Sequence, residues 1–207
     1  MIVLLLLLVS ASAAAVELTV GRQALDQALA IGQSRVERDR LRFHLPYRLP
    51  VNALPVDYID IVTPFRRIVL EAEQRTRAGD RSFGQRQALE VAVTAAGRID
   101  VLIELTFHPM NAYVGVPGYE VELRPASGPA VRPRTHDRVP RFGPRVDGTP
   151  LPAPGGIIPR GSEPMLGGTV VASFDGQQLS PAADYDVVVL ENGKAIAQAR
   201  VRFGGMR

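Results

Sequence analysis

Apolar residues along this chain recur with helical spacing in some stretches and at every second position in others. Ala24, Leu25, Ala28 and Leu29 share one helical face, which predicts a helix over residues 21–34 with Thr19 as a candidate cap. Leu41, Phe43, Leu45, Tyr47, Leu49 and Val51 then alternate with polar residues and prolines. That pattern predicts a half-buried strand over 41–51, placed at a sheet edge because Pro46 and Pro50 cannot donate to a ladder. Thr63 and Pro64 read as the cap and first residue of a second helix carrying Phe65, Ile68, Val69 and Ala72 inward, with Gly79 as its stop. A third helix follows, capped by Ser82, with Ala88, Leu89, Ala92 and Ala95 inward and Gly97 as its stop. Period two returns over 99–107, a strand expected in a sheet interior, and again over 119–123. Strands are also expected over 169–174, 185–190 and 194–203, the last two joined by Asn192-Gly193, a pair suited to a type I′ hairpin turn.

Residues 125–168 differ in kind. They hold 10 of the 17 prolines and 8 of the 19 glycines, with six arginines against Asp137, Asp147 and Glu163. Such a composition buries too little apolar surface to offset its ordering entropy, so a flexible basic loop is expected there. The 39 residues beyond it are too few to fold alone without a disulfide or metal, so their strands are expected to pair with strands from residues 40–124 and complete one domain with segment 17–124. Leu179, Pro181 and Tyr185 resemble the tyrosine corner of fibronectin type III and immunoglobulin-like domains, in which a Tyr at a strand start bonds back to the preceding loop. The resemblance spans about 35 residues and implies architecture alone. The expected fold is therefore α+β or mostly β: an antiparallel β-sandwich with an N-terminal helix and an inserted helical hairpin.

The N-terminus bears on compartment. Ile2 to Val9 is an unbroken apolar run, followed by Ser10, Ala11, Ser12, Ala13, Ala14 and Ala15. This matches the apolar and cleavage regions of a bacterial-type secretory signal, assigned to residues 1–16, and is too short for an ordinary membrane span. Export to the periplasm or the extracellular space is expected, with no transmembrane span after signal removal. Cysteine is absent, which excludes disulfide staples and thiol chemistry. The formal net charge is +3, and all but one of the 24 basic residues are Arg, the exception being Lys194.

Candidate chemistry is sparse. No nucleophile elbow, phosphate loop or dinucleotide fingerprint occurs, and His44, His108 and His136 lack metal-ligand spacing, so no catalytic residue, metal or cofactor is expected. His44 and His136 read as solvated. The carboxylate pairs Asp57/Asp60, Glu71/Glu73, Glu120/Glu122 and Asp184/Asp186 lack the geometry of an acid–base pair, and solvation is the expected state of the two strand pairs. His108, Asn111, Tyr113 and Tyr119 border a turn-rich segment beyond an apolar strand, where binding residues tend to sit. Arg132, Arg134, Arg138, Arg141 and Arg145 form a basic series suited to carboxylate or phosphate. With Phe142 as its only aromatic, the basic stretch is not expected to bind nucleic acid. The leading expectation is a non-enzymatic envelope protein, an interaction or assembly module for another envelope protein or an anionic envelope component. The alternative is a periplasmic small-ligand binder or hydrolase built on the 108–119 loop, with Glu104 nearby.

Overall fold

The computed structural model describes residues 16–108, 111–143 and 165–207. The apolar N-terminal run and Arg145 lie outside the described residues. The elements are α1 (Arg22–Gly32), α2 (Glu37–His44), β1 (Arg48–Ala53), β2 (Val56–Val62), α3 (Pro64–Arg77), α4 (Gln85–Ala95), β3 (Arg98–Thr106), β4 (Tyr119–Pro125), β5 (Thr135–Phe142), β6 (Met165–Asp175), β7 (Asp184–Glu191) and β8 (Lys194–Arg202).

The strands form two antiparallel sheets, ordered β1-β2-β3-β6-β5 and β4-β7-β8. Their inner faces share one core that includes Ile59, Val101, Ile103, Val121, Leu123, Val170, Val187 and Val201. With β2 through β8 taken in chain order as strands A to G, the sheets are A-B-E-D and C-F-G, the pairing of a constant-type immunoglobulin sandwich. To that pattern the chain adds β1 at one edge and the α3–α4 hairpin between the first two strands. The tyrosine corner is formed: Tyr185 Oη accepts from the Ser180 backbone N–H at 2.9 Å.

The C-terminal strands pair as expected with earlier ones, β6 with β3 and β7 with β4. Asn192 and Gly193 both take positive φ, 51° and 77°, as a type I′ turn demands. Thr63 caps α3, its hydroxyl accepting from Arg66 N–H at 3.2 Å.

Helices α1, α3 and α4 pack on one another through Leu25, Ala28, Phe65, Ile68, Val69, Ala72, Phe83, Ala88 and Ala92. This layer covers the sandwich end where β2 finishes and β3 begins. Backbone bonds fix it there: Gly97 N–H donates to Leu18 O at 2.8 Å and Gly176 N–H to Gly97 O at 2.7 Å. Val16 is already a core residue, 4% exposed, with its N–H on Pro181 O at 3.2 Å.

Several expectations are corrected. Residues 41–47 are not a strand: 37–44 form α2 and 45–47 a 3₁₀ turn, and only 48–53 pair at the sheet edge. Alternation in so polar a run did not require burial of the apolar set. Leu41 and Leu45 stay 59% and 71% exposed, while Glu37 and Asp39 in the first turn and Arg42 and His44 in the last suit a helix dipole. Val56–Val62 form an interior strand, between β1 and β3, that the alternation rule passed over, being apolar on both faces near its end. Gly21 and Gly84, not Thr19 and Ser82, precede α1 and α4; the Ser82 hydroxyl donates instead to Asp80. Leu89 points outward at 53% exposure. The stretch 125–168 is not loop throughout, since it supplies β5 and the start of β6. Cross-strand hydrogen bonding to β6 supports β5, whose own side chains remain mostly exposed.

Candidate interaction surface

The end of the sandwich opposite the helices gathers the β1–β2 turn, the β3–β4 connection and the β5–β6 strand ends. Short bonds tie these together. Thr106 N–H donates to Pro55 O and Phe107 N–H to Leu166 O, both at 2.9 Å. Asn111 Nδ2 donates to His108 O at 2.7 Å and to Met165 O at 2.8 Å, while its Oδ1 accepts from Tyr113 N–H at 2.9 Å. Asn111 is thus a clamp that sets the path of the connection. Downstream of it, the Tyr113 ring meets Phe107 edge-on at 4.9 Å.

The clamp leaves apolar groups in solvent. Leu54 is 85% exposed, Val114 99%, Phe142 50% and Tyr113 45%, all on this end. Arg141 lies among them, its Nη2 donating to Leu105 O at 2.9 Å. Arg138 approaches Gly118 on the other side of the connection. Aromatic and aliphatic tips beside arginines have the composition of protein interface cores, in which a few such side chains carry most of the binding energy.

The sequence-selected residues divide. His108, Asn111, Tyr113, Arg138 and Arg141 come to this end together. Tyr119 is beside them but buried at 1% exposure. Its hydroxyl pKa is pushed up to about 12, first by burial and then by the Glu191 carboxylate and Tyr113. With Asn111 committed to the backbone and Tyr119 in the core, their polar groups serve the scaffold. Arg132 and Arg134 stand elsewhere, 3.4 Å from Glu122 and 3.6 Å from Asp175. The arginines therefore do not form one stripe.

Comparison with known proteins leaves the assignment to this geometry. No family model matches the chain, and neither curated proteins nor solved structures give a match.

Other polar residues are bound into the scaffold. His44 is not solvated: Nδ1 accepts from Arg66 Nε at 3.3 Å and Nε2 lies 2.8 Å from Glu73 Oε1. His136 sits on β5 with Nε2 buried and without a hydrogen-bond partner; burial, then Arg138, lowers its pKa. Glu122, expected in solvent, is buried and paired with Arg124, and Asp60 and Glu73 are buried beside Arg66 and Arg77. Among the described residues no group of three or more His, Asp or Glu is placed to hold a metal ion, and no helix is long and apolar enough to cross a membrane.

Proposed function

We propose that this chain is an exported, non-enzymatic envelope protein that acts as an interaction or assembly module through the end of its sandwich away from the helices. The observation that carries this reading is the exposure of Leu54, Tyr113, Val114 and Phe142, spread across one end of the sandwich from the β1–β2 turn to β5, with Arg138 and Arg141 on the β5 side. Leaving such groups in water costs about 25 cal/mol for each Å² that a partner would cover. The partner class is another envelope protein or an anionic envelope component, and the apolar run Ile2–Val9 with its small-residue tail supports the compartment.

The test is crosslinking and affinity recovery of a C-terminally tagged chain from native envelope, beside a Val114→Asp/Phe142→Ser double variant. Both positions are exposed, so the variant should keep its unfolding midpoint. A dominant stoichiometric partner recovered with the wild type and depleted by at least about tenfold with the variant is the expected result, equivalent to about 1.4 kcal/mol. Equal recovery from both proteins would remove this surface from the function.

A further inference from the structure

A second feature lies at the opposite end of the molecule and is independent of that surface. Helices α3 and α4, the turn between them and the first residue of β3 line an open cleft of about 450 Å³, within the volume range of small-molecule sites. Its charges are separated into two poles.

At one pole, Arg67 and Arg98 converge on a single carboxylate. Arg67 Nη2 hydrogen-bonds Asp100 Oδ2, and Arg98 Nε lies 3.4 Å from the same oxygen. Asp100 is 2% exposed and also accepts from the Ser173 hydroxyl at 2.6 Å. Two guanidinium groups share one negative charge, leaving an excess of one positive charge. Arg98 Nε is buried without a hydrogen-bond partner. Burial lowers the Arg67 pKa, and the neighbouring Arg98 adds to that effect.

The other pole is the mirror case. Arg75 is shared between Glu71 at 2.8 Å and Asp80 at 3.5 Å, leaving an excess of one negative charge. Glu90, on the rim, pairs with Arg86 at 3.7 Å. Between the poles the wall is Phe83 and the half-buried Val91, with the Gln87 amide beside them. Residues 67, 71 and 75 follow one another at single helical turns along α3, so the poles stand about 6–12 Å apart.

We propose that this cleft binds a small zwitterion, its carboxylate between Arg67 and Arg98 and its ammonium at Glu71 and Asp80, with an apolar chain along Phe83 and Val91. A polyanion would meet repulsion at the acidic pole, and a polycation at the basic one. Guanidinium pairs recognise carboxylate by bidentate geometry, which suits the basic pole.

Titration calorimetry of the full chain with 6-aminohexanoate, hexanoate and hexylamine tests the assignment. The expected result is saturable binding of 6-aminohexanoate, tighter than either half-molecule by at least about tenfold. Arg98→Gln leaves Arg67 on Asp100 and should weaken binding by a similar factor. Thr94→Phe, from an exposed position on the cleft wall, should block it sterically and serves if Arg98→Gln fails to fold. No saturable binding, equal affinity for the half-molecules, or full affinity in the folded variants would overturn the proposal. Partner recovery through Val114 and Phe142 is untouched by any of these outcomes.

Discussion

Tyr119 stands where the exposed end meets the core, and its hydroxyl is held protonated by burial and by Glu191. The folded pKa of about 12 lies above the ordinary 10.0. Below pH 10 both folded and unfolded chains keep the proton, and Tyr119 adds no pH dependence. Between those two values the unfolded chain has lost its proton while the folded chain retains it, so stability falls as pH rises through that window. Unfolding free energies measured at intervals from about pH 9 to about pH 12 should decline, and Tyr119→Phe should flatten the decline without abolishing it. Tyr47, also raised chiefly by burial, supplies a remaining slope. An unchanged slope in the variant would place Tyr119 in a wetter site than the one described. Residue roles that depend on near neighbours were legible in the sequence. Tyr185 bonds five residues back, Thr63 three residues ahead, and Asn192-Gly193 needs only its own backbone. Arg66 was not legible, because it is 1% exposed on account of Asp60, Ile61 and His44 from other elements. Val114 and Phe142 were missed for the opposite reason: what marks them is the lack of cover, which no local pattern encodes.

At the scale of elements, strand β6 carries the most of the architecture, since it is hydrogen-bonded to β3 on one side and β5 on the other. Its start was hidden in the sequence by Gly167 and Gly168, which look like loop residues in a proline-rich context. The structure gives them a packing reason instead. A Cβ at Gly167 would overlap the backbone oxygen of Leu105, so the β3–β6 pairing at the exposed end tolerates no side chain there. Gly167→Ala should therefore destabilise the protein by about 1–3 kcal/mol, the usual range for overpacking against groups that cannot move aside. Denaturant unfolding measures the loss, and a change below about 0.5 kcal/mol would show that β6 can shift along β3 at no cost. The failure at 41–47 has a related origin. Period two and a short polar helix both fit Leu41, Phe43 and Leu45, and only Phe43 is packed against both the sandwich core and the helical core. Tertiary contacts made through one residue decided between two local readings.

The whole molecule joins two apolar clusters, one between the sheets and one among the helices. Sandwich class and the return of the C-terminal strands were readable because strand length and alternation repeat along the chain. Strand order was not, since it follows from which edges meet in three dimensions. The joint between the clusters is polar as well as apolar. Arg66 on α3 holds Asp60 on β2 through two hydrogen bonds of 2.8 and 3.1 Å, donates to Ile61 O, and stacks 4.8 Å from the Tyr47 ring. Its Nε reaches His44, which in turn meets Glu73, so α2, α3 and β2 meet in one buried network. Removing one partner of a buried pair strands the other charge, at a cost of about 3–5 kcal/mol. A joint of that strength predicts that helices and sandwich unfold together. In the wild type, the helical far-ultraviolet signal and the near-ultraviolet signal of buried Tyr119 and Tyr185 should share one midpoint. In Arg66→Met, Asp60 loses its partner, and the unfolding free energy should fall by about 3 kcal/mol. Two separated midpoints in the wild type, or an Arg66→Met change under about 1 kcal/mol, would mean that the helical layer rests on the sandwich without being coupled to it.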